Sequence, residues 1–233
     1  VVAFFITKRP YHTFNPEVLQ SKVMIEEIHR VCEEIKEQVG RRLYTKITSS
    51  GGTYEFPDLS AMIDDFLRLK LRRDVQSWKT HQLPKIVTHT MMDDGQDAIL
   101  NFLRTANLIN NRHDKVKVVY HPDFISTSNP LFRMDYPQFV RGCHLGIFPS
   151  RYEPWGYTPL ECLASGIPSV SSNLAGFGDY VTRNILDHDK LGMYIIDRKH
   201  RNFDQNAEDL SEIMYQFVQL TRRERIALRY RSE

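Results

Sequence analysis

The sequence predicts an α/β fold, a Rossmann-like parallel sheet with helices on both faces. Short β-rich runs recur at Ile86–His89, Val116–Tyr120, Leu145–Phe148, Ser169–Ser172 and Tyr194–Ile196. Helical patterns separate them near Ala98–Ala106, Tyr136–Gly142, Pro159–Ser165 and Asn206–Leu220. Strands that alternate with helices build a parallel sheet covered on both faces, and such sheets bind ligands at the carboxyl ends of their strands. With 233 residues, 41% hydrophobic and 26% charged, the chain is long enough for a substantial core in one large or two small domains.

Val1–Ile6 reads as a buried strand. The chain does not begin with Met, so a longer polypeptide is expected, with neighbours for this strand upstream. Lys8–Phe14 is a polar, aromatic loop. Asn15-Pro16-Glu17 supplies an N-cap, a proline in the first turn and an acid beside the helix dipole. Ile25, Ile28, Cys32, Ile35 and Val39 follow at helical spacing, and Gly40 stands where a C-cap glycine belongs. Ser49-Ser50-Gly51-Gly52 breaks the chain. Leu59–Trp78 then reads as a second long helix carrying Arg68, Lys70, Arg72 and Arg73, with Met62, Ile63, Phe66 and Leu69 set for packing, against another subunit as one option.

Several function classes lose weight. There is no GxGxxG after a strand, no Walker GxxxxGK[ST], no HExxH and no GxSxG. The longest purely apolar run, Val1–Ile6, is far short of the roughly 20 residues of a membrane span. Cys32, Cys143 and Cys162 are too scattered for a disulfide framework or a metal knuckle, and favour a reducing, cytoplasmic setting. His89 and His121 lack metal-ligand spacing, so neither a metal nor a cofactor is assigned.

The densest stretch is Phe148-Pro149-Ser150-Arg151-Tyr152-Glu153-Pro154-Trp155-Gly156-Tyr157-Thr158-Pro159-Leu160-Glu161, which leaves a strand, crosses a rigid loop and enters a helix. Thr158 reads as the N-cap, with Pro159 at the first helical position and Glu161 closing a T-x-x-E capping box. The helix's first N–H groups then face the ligand edge, a ready site for phosphate. One of Glu153 and Glu161 can face a reacting sugar while the other accepts hydrogen bonds from ligand hydroxyls. On spacing alone Glu161 is equally a capping residue, and Trp155 is equally plain core.

The run E-P-W-G-Y-T-P-x-E resembles the eukaryotic glycogen synthase family, retaining glycosyltransferases of the two-Rossmann GT-B architecture. It is joined by Asp135-Tyr136, Phe139-Val140-Arg141-Gly142-Cys143-His144-Leu145-Gly146 and Gly166-Ile167-Pro168-Ser169-Val170. His121-Pro122-Asp123-Phe124 and Asn173-Leu174-Ala175-Gly176-Phe177-Gly178 match as well, so the likeness covers nearly the whole chain. Arg151 and Ala175 depart from the family's tyrosine and serine. The resemblance implies that residues 1–233 are the carboxyl-terminal Rossmann domain of such an enzyme, with a helical insertion over 15–80 and the amino-terminal Rossmann domain absent. That half alone would bind donor weakly and not turn over.

The same resemblance distributes roles. Glu153 lies at the donor glucose of UDP-glucose and Glu161 at its ribose, both as catalytic candidates. Tyr136 stacks on the uracil, Trp155 lines the donor site, and Gly156, Tyr157 and Thr158 hold the diphosphate. Glycogen is the acceptor, glycogenin the partner that primes it, and a homo-oligomer, a tetramer, the assembly. The rival readings are a non-catalytic module that binds sugar phosphate, and a starch or sucrose synthase type of transferase.

Arg222, Arg223, Arg225, Arg229 and Arg231 form a second constellation. Arg222, Arg225 and Arg229 share one stripe of a helix continuing from Leu210, Ile213, Met214 and Phe217, and guanidinium forks suit phosphate oxygens. By resemblance this is the cluster that senses glucose-6-phosphate, and His144 belongs to that pocket. His144 is otherwise a structural histidine. It forms no dyad with Cys143, because neighbours on a strand point to opposite faces. No aromatic platform interleaves with the arginines, which argues against nucleic acid. The chain's net charge of +2 conceals this cluster: residues 222–231 hold five Arg and one Glu, leaving the remainder at −2.

Overall fold

A computed structural model describes residues 1–49, 58–80 and 85–232. Of the expected break at 49–52, Ser49 still belongs to a helix, and 50–52 lie outside the described residues. Two compact units are present, Val1–Phe124 and Ile125–Glu233. The mixed α/β class with parallel strands is as the sequence indicates.

In the first unit, β1 (Val2–Ile6) pairs in parallel with β4 (Lys117–His121). Residues 86–88 run beside β4 on its other side, through Tyr120 N–H to the Ile86 carbonyl at 2.6 Å and Thr88 N–H to the Tyr120 carbonyl at 2.9 Å. The chain then enters β3 (His89–Met91), which pairs antiparallel with β2 (Tyr11–Phe14). The second strand was not expected, because Lys8–Phe14 reads as loop. It forms because Tyr11 and Phe14 close over the His89 ring at 4.3 and 4.2 Å. A second correction concerns β1, whose Val2, Phe4 and Phe5 are exposed rather than buried.

Helix α1 (Pro16–Ser49) begins as expected, with Asn15 Oδ1 accepting the Glu17 N–H at 3.0 Å. It does not stop at Gly40. Gln38 and Arg42, either side of that glycine, both engage Asp64, and Arg42 also donates to the Met62 carbonyl at 2.8 Å. Those contacts hold the extra turns. The expected single helix Leu59–Trp78 is two pieces, a 3₁₀ turn Leu59–Met62 capped by Asp58 and helix α2 (Asp65–Thr80). In both long helices the packed stripe is displaced in part. Met62 is buried as expected and Val31 and Leu67 are buried as well, whereas Ile25, Cys32, Phe66 and Leu69 are exposed. Helix α3 (Ala98–Thr105), capped by Asp97, covers the core of Val87, Leu100, Leu103, Val118 and Tyr120.

Two buried imidazoles sit where β3 begins and β4 ends. Thr88 Oγ1 lies 2.9 Å from His89 Nδ1 and 2.8 Å from His121 Nδ1. Burial, reinforced by His89, holds His121 down to about 4 against the nearby Asp123 carboxylate. His89 is lowered by burial in the same way. The unfolded rings take up protons near pH 6.5 and the folded ones only below that. Stability is therefore full above about pH 6.5 and falls toward pH 4, by on the order of 3 kcal/mol from His121. Urea midpoints measured across that window should fall on acidification, with a smaller slope in His121→Gln; equal slopes would contradict this account.

In the second unit, helix α4 (Tyr136–Gly142) precedes β5 (Gly146–Ile147), and helix α5 (Tyr157–Ala164) links β5 to β6 (Ser169–Ser172). Helix α6 (Gly176–Asn184) and a 3₁₀ turn lead to β7 (Met193–Ile196). The three strands are parallel in the order β5-β6-β7, and the central strand β6 is buried throughout. Val140, Cys162 and Ile167 form one core cluster, and Leu163, Phe177 and Val181 another, so α5 contributes to both.

The expected continuous carboxyl-terminal helix divides into α7 (Phe203–Gln219) and α8 (Arg222–Ser232). The break has a local cause. Glu224 Oε2 accepts from Thr221 N–H at 2.7 Å while Glu224 N–H reaches back to Thr221 Oγ1 at 3.3 Å, a reciprocal cap that starts a new helix.

Candidate functional site at the carboxyl edge of the parallel sheet

The chain leaves β5 through Phe148, whose N–H still bonds to Val170 of β6 at 2.8 Å. The following loop is fixed to the segment after β6. Glu153 forms an isolated parallel bridge with Ala175. Gly176 N–H donates to the Glu153 carbonyl at 3.1 Å and Phe177 N–H to the Trp155 carbonyl at 2.7 Å. A Cβ on Gly176 would lie 2.2 Å from the Pro154 carbonyl oxygen, so only glycine permits this approach. The Trp155 ring rests against Phe177 and Tyr180, with centroids 6.0 and 5.9 Å away. It is partly core and 37% exposed.

Gly156 caps α5 with φ +105°, a left-handed conformation that favours glycine. The T-x-x-E capping box is therefore not formed. The helix starts at Tyr157, so Thr158 already lies inside it and cannot take the extended backbone that an N-cap side chain needs. The helix N-terminus is nonetheless at the sheet's carboxyl edge, as the sequence indicates. Pro159 brings no N–H, which leaves Gly156, Tyr157 and Thr158 to present the first turn's donors.

Glu153 is half-buried in this loop. Its Oε2 accepts from Ser150 Oγ at 3.0 Å, and a Cβ on Gly156 would come within 3.3 Å of the same oxygen. Glu161 is exposed on α5, one residue before the buried Cys162. Tyr136, at the start of α4, packs with Phe148 against Val140, Cys162 and Ile167. Burial pushes its hydroxyl up to about 12, with Cys162 and Glu161 adding to the effect. The structure thus joins Glu153 to Trp155, Gly156, Tyr157 and Thr158 in one turn and packs Tyr136 on the cluster that holds Cys162, the residue after Glu161. Tyr157 is exposed and Thr158 half-buried.

The arginines and His144 lie elsewhere. The Ser232 hydroxyl donates to the Leu191 carbonyl at 3.1 Å, and a Cβ on Gly166 would lie 3.6 Å from the Arg229 carbonyl oxygen. Helix α8 therefore covers the edge where β6 and β7 begin, opposite Glu153. Arg229 reaches the Arg141 carbonyl at the end of α4, three residues before the exposed His144. Arg225 donates to the Leu220 carbonyl at 2.6 Å, while Arg222, Arg223 and Arg231 are exposed.

Sequence reasoning missed the groups behind Glu153, namely Ser150, Ser172 and the Asn173 side chain. Asn173 donates to Asp197 and accepts from the Arg198 and Lys199 N–H groups at 2.8 and 3.1 Å, and Arg198 returns to the Pro149 carbonyl at 2.6 Å. The one available signal was polar residues clustered at the ends of three strands. Among the described residues no group of three His, Cys, Asp or Glu is placed to hold a metal, and no helix is long and apolar enough to cross a membrane.

Comparison with known proteins adds the final observation. Residues 1–233 match the family model described as glycogen synthase. The chain is 42% identical over 233 residues to the liver glycogen [starch] synthase of Rattus norvegicus, covering 100% of this chain and 32% of that protein. Against glycogen [starch] synthase of Caenorhabditis elegans it is 43% identical, again over all of this chain and 34% of the relative. With that of Neurospora crassa it shares 40% identity, over all of this chain and 33% of the relative. The chain spans about a third of the length of these curated relatives.

Proposed function

The chain belongs to the glycogen synthase family, and we propose that it is the carboxyl-terminal half of an enzyme that transfers glucose from UDP-glucose to the non-reducing end of glycogen, forming α-1,4 links with retention. Residues 1–233 form its second Rossmann domain, and 15–80 are a helical insertion that mediates contacts within a tetramer. The observation that supports this reading is the turn at the sheet's carboxyl edge, where Glu153, the left-handed Gly156 and the start of α5 come together.

The chemistry follows from that turn. Tyr136 stacks on the uracil and Glu161 accepts from the ribose hydroxyls. The N–H groups of Gly156, Tyr157 and Thr158 receive the diphosphate, whose negative charge grows as the bond to the glucose C1 breaks. A helix N-terminus stabilises that charge where it develops. Glu153 faces the sugar and favours the positive character gathering at C1. The incoming 4-hydroxyl attacks from the face that UDP leaves, the new C1–O4 bond forms as the old C1–O bond opens, and the hydroxyl proton passes to the departing phosphate oxygen. Trp155 braces the loop through Phe177 and Tyr180. The test is transfer of labelled glucose from UDP-glucose to glycogen by the whole protein, which should proceed in wild type and fall on the order of 10²–10⁴-fold when the Glu153 carboxylate is removed.

Glucose-6-phosphate is the proposed activator, held by His144 and by Arg222, Arg223, Arg225, Arg229 and Arg231. Glycogenin is the proposed priming partner and the cytoplasm the compartment. If the arginines hold the activator's phosphate, changing Arg222, Arg225 and Arg229 to Ala lowers the activation ratio, ordinarily about 5–150-fold for coupled sites, to about 1. Retention of the wild-type ratio in a transfer assay with and without glucose-6-phosphate would remove them from that role.

A further inference from the structure

We propose that Ser150 is a positioning residue for the Glu153 carboxylate and that Ser172 steadies it from beneath the loop. The inference rests on the reading of Glu153 as the acid at the donor glucose. A carboxylate only accepts, so the 3.0 Å contact to Glu153 Oε2 fixes Ser150 Oγ as the donor. The Gly156 turn lies close by, since one added carbon there would stand 3.3 Å from the same oxygen. Oε2 is thus held by the Ser150 hydroxyl.

Ser150 is itself held. Its carbonyl accepts from the hydroxyl of Ser172, which is fully buried on the central strand β6, and Ser172 Oγ in turn accepts the Leu174 N–H at 3.3 Å. The N–H of Ser150 bonds to Phe148 at 2.8 Å, and the Glu153 carbonyl takes the Gly176 N–H. A chain of hydrogen bonds therefore runs from the most buried strand of the sheet to one carboxylate oxygen. A glutamate with three free torsions must otherwise be ordered in each turnover, and a displacement of about 1 Å at a reacting group can cost 10²-fold in rate. The hydroxyl of Ser150 removes that freedom before substrate arrives.

The test uses steady-state transfer from UDP-glucose by the whole protein, with melting temperatures recorded for every variant. Ser150→Ala is expected to lower kcat about 10–100-fold with KM for UDP-glucose within about twofold, and Ser150→Thr, which keeps the hydroxyl, to recover most of the loss. Ser172→Ala should act in the same direction with a smaller effect. In a Glu153→Ala background, adding Ser150→Ala should change nothing further. Wild-type kcat in Ser150→Ala would overturn the proposal. So would a loss of equal size in the Glu153→Ala background, or no recovery in a Ser150→Thr protein of unchanged melting temperature. Undiminished transfer in Glu153→Ala alone would instead overturn the reading of Glu153 on which the proposal stands.

Discussion

Glu153→Ala in the whole protein is expected to lower glucosyl transfer on the order of 10²–10⁴-fold while the fold is retained. The side chain is half-buried in a loop whose position is set by main-chain hydrogen bonds to Gly176 and Phe177, and those bonds do not involve the carboxylate. Removing the carboxylate leaves Ser150 Oγ free to bond to water, so the stability cost is small. In the proposed role, what is lost is the negative group beside the forming positive character at C1. Glu153→Gln keeps the size and the Ser150 contact but not the charge, so it should also be strongly impaired. Rates near wild type in Glu153→Gln would mean that orientation, not charge, is the contribution. Isolation of a covalent glucosyl adduct on Glu153 would replace front-face departure by double displacement.

Gly176→Ala is expected to lower stability by about 3 kcal/mol or more. The added carbon would stand 2.2 Å from the Pro154 carbonyl oxygen and 3.1 Å from Trp155 Cα, both main-chain atoms. Neither side can withdraw, because the hydrogen bonds from Gly176 and Phe177 span the same gap. Any relaxation moves Glu153 and Trp155, so transfer should fall as well. Gly95→Ala provides the control. Nothing lies within 4 Å of its added carbon, and its effect should stay within about 0.5 kcal/mol. Urea denaturation reads both variants, and equal midpoints would show that the loop yields where the close approach implies it cannot.

What the sequence made legible has a physical pattern. Elements defined by local chemistry came through well. Asp135 and Gln138 cap α4 reciprocally, and its bounds Tyr136–Gly142 agree with the expected ones. The strand Ser169–Ser172 also agrees, being a short β-rich run bounded by Gly166-Ile167-Pro168. Tertiary choices did not come through. The long helices carry apolar residues on more than one face, so the pattern could not say that Val31 and Leu67, rather than Cys32 and Phe66, face the partner. Gly40 looked like a terminator until Asp64, far along the chain, engaged the residues on either side of it. At the site, the strand–loop–helix sequence around Glu153 and Glu161 was readable from one contiguous run. The left-handed Gly156 was not, because the local text offers Thr158 as an equally good cap. Nor was the Ser172 support of Ser150, which bridges 22 positions of chain.

If the Glu153–Thr158 turn serves the proposed retaining glucosyl transfer from UDP-glucose, the anomeric configuration of the product reports it. The whole protein should be incubated with UDP-glucose and a linear malto-oligosaccharide, and the new linkage read from its anomeric proton by NMR. The expected product is an α-1,4-linked glucose at the non-reducing end, formed as UDP is released. A β-linked product, or release of free glucose without chain extension, would contradict the account.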